Sequence, residues 1–144
     1  MTTTGPAAEE HAAPAELPTI RSPRDAAHLV AHIAALDHEQ FHVLGLDASY
    51  RVLTNRCVGI GTLDRVSVST LDVFRELVRL NCRTFIAFHN HPSGDPHPSN
   101  GDLDLTLRLQ LAGVLLGLPL LDHIILARGC FYSTYEEALY PLGG

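Results

Sequence analysis

The sequence predicts a single α/β domain in which helices pack on a sheet. Three observations lead there. Segments of helical period alternate along the chain with short runs of strand character. The 144 residues suffice for one domain with a substantial core. Apolar residues make up 46% of the chain, as a globular fold needs and a disordered chain lacks.

Residues 1–18 are rich in Ala, Pro, Thr and Glu without periodicity, which predicts a flexible tail ahead of a domain over 19–144. Ser22-Pro23 opens a helix, with proline in its first turn. Ala26, Leu29, Val30, Ile33 and Leu36 form its apolar face, and it is expected to end near Asp37. A strand from Phe41 to Asp47, a turn over 48–50 and a return strand over 51–58 read as a hairpin. Gly59-Ile60-Gly61-Thr62 breaks that pattern, and Val66 and Val68 fit a short further strand. Ser69 or Thr70 caps a helix whose Leu71, Phe74, Leu77 and Val78 are expected to face inward, and Asn81 ends it. Thr84 to Phe88 is a short apolar run suited to a buried strand.

Residues 92–101 hold three prolines and two glycines, a stiff loop whose prolines reduce the entropy lost on ordering. Leu103, Leu105, Leu107, Leu109 and Leu111 alternate as in a strand. Yet Leu103, Leu107, Leu111 and Leu115 also lie four apart. The run begins with a Ser99-x-x-Asp102 box and closes at Gly117 and Pro119, so a helix is predicted. That choice leaves a second apolar row, Leu105, Leu109, Ala112 and Leu116. Either the helix is buried on two sides or this row meets a second copy of the chain in a homodimer. Leu120–Ala127 and Phe131–Ser133 read as strands, and 134–140 as a last helical turn.

Composition narrows the function. Net charge is −6, all ten basic residues are arginine, and they are scattered, which argues against direct nucleic-acid binding. No apolar run reaches membrane-spanning length and no signal segment opens the chain, so a cytoplasmic protein is expected. Cys57, Cys82 and Cys130 suit neither a disulfide framework nor a paired-cysteine metal site.

The chemistry concentrates in His89-Asn90-His91-Pro92, with Ser99 and Asp102 following. In an extended segment residues i and i+2 point to one side, so the two imidazoles can grip one ion. A carboxylate at the next helix start supplies a third ligand. Three protein ligands with an open fourth position characterise zinc sites that perform chemistry.

These residues carry a resemblance. His89-x-His91-Pro92, six residues, Ser99, two residues, Asp102 is similar to the JAMM signature of the JAB/MPN metalloprotease superfamily. The longer run to Pro96, with Pro98-Ser99, Gly61-Thr62-Leu63, Asn81 and Leu121-Asp122-His123-Ile124-Ile125, resembles its RadC-like branch over roughly residues 20–135. The resemblance implies a JAB/MPN-like (cytidine-deaminase-like) mixed sheet flanked by helices. It implies zinc bound by His89, His91 and Asp102, with a water at the fourth position made acidic enough to ionise near neutral pH. Glu39, ahead of an apolar stretch ending at Asp47, matches the family's glutamate; it would take the water's proton and pass it to the leaving amine. Ser99 would donate to the oxyanion. The implied substrate is a peptide or protein amide, including an isopeptide bond to a ubiquitin-like protein. Two alternatives stand beside this: a non-catalytic MPN-type binding scaffold, and a DNA-repair-associated RadC-like protein of unknown substrate.

Longer RadC-like proteins carry a helix-hairpin-helix region that residues 1–18 are too short and polar to supply, and Ser69-Thr70-Leu71-Asp72 stands where the family often has a His-Pro-Arg-Glu-like stretch; if that stretch reads substrate, a different specificity is implied. Asp122-His123 has two readings: the Asp orients a ligand imidazole, or the pair is bonded internally and supports the fold.

Overall fold

The computed structural model describes residues 17–61 and 68–143. The tail expected over 1–18 lies outside them apart from Leu17 and Pro18, as does the Val66 end of the expected short strand. Val68 is described and lies in no strand.

Six strands form one mixed sheet: β1 (Glu39–Leu46), β2 (Val52–Gly61), β3 (Thr84–Asn90), β4 (Leu120–Ala127), β5 (Cys130–Ser133) and β6 (Ala138–Pro141). Their order is β2-β1-β3-β4-β5-β6. Only the β3–β4 pair is parallel. Helix α1 (Pro23–Leu29) precedes the sheet, α2 (Thr70–Arg79) leads into β3, and α3 (Asn100–Leu116) makes the crossover from β3 to β4. This is the expected α/β architecture.

Strand alternation divides the core in two. Leu44, Leu46, Ile86, Phe88, Ile124 and Leu126 face α1 with Ala26, Ala27, Val30 and Ile33. Phe41, Val43, Phe85 and Ala87 face the other way, against Val73, Phe74 and Leu77 of α2 and Leu109 of α3. β3 lies at the centre and is buried throughout.

Five local expectations need correction. The first helix is not continuous: α1 stops at Leu29 and Ala31–Ala35 wind as a 3₁₀ segment. Val30 sits at the break between the two windings, and Ala26, Ala27, Val30, Ile33 and Ala34 are all buried across it. β2 runs on through Gly59-Ile60-Gly61, because the pairing skips Val58 in a bulge and then resumes, with Gly59 opposite Phe41 and Gly61 opposite Glu39. In α2, Val73 joins Phe74 and Leu77 inside, while Leu71 and Val78 point to solvent. The two leucine rows of α3 exchange roles. Leu109 is buried with Leu105 and Ala112 packed beside it, whereas Leu103, Leu107, Leu111 and Leu115 are exposed, as is Leu116. Finally, 134–140 is not a helical turn. Glu137 has φ 54°, left-handed backbone that interrupts a helix, and β6 follows with Tyr140 stacked on Phe131.

Among the described residues no helix is long and apolar enough to cross a membrane.

Candidate metal centre

The end of β3 and the start of α3 meet on the α2/α3 side of the sheet. β3 is held there by its partners. Phe41 of β1 pairs with His89 and stacks on its ring at 5.7 Å. Asn90, fully buried on the opposite parity, accepts from the Gln40 amide at 2.8 Å and donates to the His38 carbonyl at 2.9 Å. This clamp ties the start of β1 to the end of β3. Continuing the register brings Glu39 level with His91. The negative charge of Glu39 is among the influences that raise the His91 pKa.

Chain geometry after β3 turns the second imidazole inward. The His91 amide donates to the Leu126 carbonyl, so the segment stays attached to β4 one residue beyond the strand. The His91 Nδ1 lies 2.8 Å from the Asp95 carbonyl. A carbonyl only accepts, so Nδ1 carries the proton and Nε2 of the neutral ring offers a lone pair.

Asp102 is delivered by the capping box of α3. Ser99 Oγ accepts from the Asp102 amide at 3.1 Å, and the Ser99 amide donates to Asp102 Oδ2 at 2.9 Å. Since the serine lone pair is used in the cap, its hydroxyl proton remains to be given elsewhere.

His89, His91 and Asp102 thus converge. Asp102 Oδ1 is 3.2 Å from His89 Nε2, Asp102 Oδ2 is 3.0 Å from His91 Nε2, and the two Nε2 atoms are 3.1 Å apart. Ligand atoms of a tetrahedral zinc ion lie about 3.3 Å apart when each bond is ~2.0 Å. The set of two imidazoles and one carboxylate also suits that ion. The strongest sign of fit is electrostatic. A neutral His91 directs a lone pair at a carboxylate oxygen, two acceptors face to face, and a cation between them resolves the conflict.

Without a cation, protons do part of that work. Burial opposes charge on His91, but its bonds to Asp102 and the Asp95 carbonyl outweigh it, so its pKa is raised. Burial also opposes charge on Asp102, yet the imidazoles of His89 and His91 against it hold its carboxyl far below the ordinary range. His89 is fully enclosed and burial dominates, lowering its pKa.

Two further residues reach the site: Thr106, which the sequence did not single out, and His123, which it singled out only as the partner of Asp122. His123 of β4 is buried, with Nε2 2.9 Å from His89 Nδ1, and burial lowers its pKa to about 3. Thr106 of α3 places Oγ1 2.5 Å from His123 Nδ1 and 2.8 Å from the Asp102 carbonyl. Of the two readings of Asp122-His123, orientation of a ligand ring by the aspartate is corrected, and Asp122 is bonded internally, in part to the His123 amide. Adjacent strand residues face opposite sides, and Asp122 bonds Ser133 Oγ and the Tyr135 and His123 amides instead. The contact to the His89 ring belongs to His123. The parity of β4 relative to β3 is the signal that could have distinguished them, but it depends on a parallel pairing that one sequence does not reveal.

A cavity of about 620 Å³ opens elsewhere, beside Ile20, Tyr50, Leu121 and Tyr135, and contains none of the converging ligands.

Comparison with known proteins bears on the family. Residues 20–139 match the family model described as RadC-like JAB domain. A UPF0758 protein of Shouchella clausii is 42% identical over 124 residues, covering 85% of this chain and 54% of that protein. One of Desulfitobacterium hafniense is 40% identical over 123 residues, with the same coverage. One of Roseiflexus castenholzii is 42% identical over 121 residues, covering 83% of this chain and 52% of its own. The chain spans about half the length of the curated relatives it matches.

Proposed function

The chain belongs to the RadC-like JAB domain family, and on that basis we propose that it is a zinc-dependent hydrolase of peptide or isopeptide bonds. The observation that carries the reading is the meeting of His89 Nε2, His91 Nε2 and the Asp102 carboxylate beside Glu39.

His89, His91 and Asp102 would hold the metal. A bound zinc ion would supply Lewis acidity, polarising a carbonyl and making water a stronger acid. The remaining work falls to the chain. Glu39, at the start of β1 and level with His91, accepts the proton of the attacking water and returns it to the departing amine. Ser99 presents its spare hydroxyl proton to the oxygen of the tetrahedral intermediate. Phe41 covers one face of His89 and keeps solvent from that side. Asn90 holds β1 and β3 in the register that keeps base and ligands together.

The test joins metal analysis to turnover of peptide and isopeptide-linked substrates. Purified wild type should retain zinc and cleave. His89→Ala and Asp102→Ala should lose both metal and cleavage, whereas Glu39→Gln should keep zinc and lose turnover by a factor of ~10² or more. Full turnover by Glu39→Gln would remove Glu39 from the mechanism. A wild-type protein that purifies without stoichiometric zinc would favour a binding scaffold instead.

A further inference from the structure

We infer that Thr106 and His123 form a hydrogen-bonded wire that fixes the tautomer of His89, keeping its Nε2 lone pair directed into the metal centre. The inference rests on the metal-binding reading above and adds two positioning residues to it.

Three short contacts run in series. His89 Nδ1 is 2.9 Å from His123 Nε2, His123 Nδ1 is 2.5 Å from Thr106 Oγ1, and Thr106 Oγ1 is 2.8 Å from the Asp102 carbonyl. Each contact accommodates one proton, and a neutral imidazole has only one N–H, so all bonds in the series must point the same way. Two directions are conceivable, and the far end decides between them. The Asp102 carbonyl cannot donate, so the threonine hydroxyl gives it a proton. Thr106 Oγ1 then receives from His123 Nδ1–H. His123 Nε2 is left as an acceptor and receives from His89 Nδ1–H. The lone pair of His89 therefore sits on Nε2, the atom 3.2 Å from Asp102 Oδ1. The opposite direction would place a proton on His89 Nε2, where it would compete with a cation, and would leave the Asp102 carbonyl facing an oxygen lone pair.

Surroundings favour a fixed wire. His89 and His123 are 2% and 1% exposed and Thr106 is buried, so water has little opportunity to substitute for any link. Phe41 packs on both rings, stacked on His89 and edge-on to His123, which restricts their rotation. Both imidazole ligands thus end on backbone carbonyls, His91 directly on Asp95 and His89 through two side chains on Asp102. The carbonyl that anchors His89 belongs to the residue whose carboxylate completes the ligand set. Folding of the first turns of α3 consequently sets the Asp102 carboxylate and the His89 tautomer together, while His91 is held by Asp95 and Leu126. The assignment concerns where protons sit in neutral rings and involves no change of charge.

The test reads tautomers and metal affinity without substrate. Long-range ¹H–¹⁵N correlation spectra of the metal-free wild type, at mildly alkaline pH, should show Nδ1–H rings at both His89 and His123. Thr106→Val keeps the shape of the side chain but removes the acceptor. It should shift His123 and His89 towards the Nε2–H form and weaken zinc binding, measured by chelator competition, by ~10–100-fold. Thr106→Ser retains the hydroxyl and should restore both readouts to within about threefold of wild type. Loss of packing alone would not change the tautomers. An Nε2–H ring at His123 in the wild type overturns the inference without any variant. So does a folded Thr106→Val protein with wild-type tautomers and wild-type zinc affinity. Correct tautomers in a protein that cleaves nothing would support the wire and count against the hydrolase reading alone.

Discussion

At the residue scale the grouping of His89, His91 and Asp102 was legible because it is local. His89, His91, Ser99 and Asp102 fall within fourteen residues, and their spacing alone places them on one strand end and one helix start. Glu39 is fifty residues upstream of His89, and only family resemblance singled it out; the β1–β3 register explains how that distance closes. His123 and Thr106 were not legible as neighbours of His89, since their meeting depends on the parallel β3–β4 pairing and the rotation of α3. Protonation at these residues has a measurable consequence. His89 and His123 have lowered pKa values when folded, so the unfolded chain takes up their protons first as pH falls below ~6.5. Their contribution to stability is therefore present above that pH and is lost on acidification, for His123 down to about 3. The raised pKa of His91 works the other way, favouring the fold below ~6.5, but among the histidines it is one against three, because burial also lowers His42. The urea midpoint of the metal-free protein should accordingly be lower at pH 5 than at pH 7, and a higher midpoint at pH 5 would contradict this balance.

At the element scale, most strands and helices were readable from period and punctuation, and the failures have specific causes. The first helix changes winding at Val30 while Ala26, Ala27, Val30, Ile33 and Ala34 stay buried across the break, a change that apolar spacing does not register. β2 accommodated its glycines because an edge strand can absorb a bulge. The leucine rows of α3 could not be ranked from spacing, since both repeat helically and only the position of the sheet distinguishes them. The end of α3 offers a sharp test. A Cβ on Gly113 would lie 2.3 Å from the Leu118 carbonyl oxygen, a backbone atom that cannot easily yield. Gly113→Ala should destabilise by at least ~1–3 kcal/mol in urea unfolding. Unchanged stability would show that the α3–β4 turn adjusts more freely than its geometry implies. At the other end, Ser99→Ala removes the cap and should lower stability by ~0.5–2 kcal/mol. If Ser99 also serves the oxyanion, kcat should fall ~10²–10³-fold at a temperature where the variant remains folded.

At the scale of the whole molecule, a central buried strand with a core on each face supports a site at its C-terminal end, and three separate elements contribute to that site. β1 brings Glu39, β3 and the residue after it bring the histidines, and α3 with its cap brings Asp102 and Ser99. A ligand that joins elements in this way binds the folded chain and stabilises it by mass action, by about 2.7 kcal/mol at a hundredfold excess over its Kd. Zinc should therefore raise the melting temperature of the wild type, and a chelator should reverse the rise. The most direct test of the account is zinc stoichiometry and X-ray absorption at the zinc edge, on wild type and Asp102→Ala. The account predicts one zinc per wild-type chain, bound by nitrogen and oxygen neighbours at ~2.0–2.1 Å, and none retained by the variant. Sulfur neighbours, or equal zinc in both proteins, would contradict it.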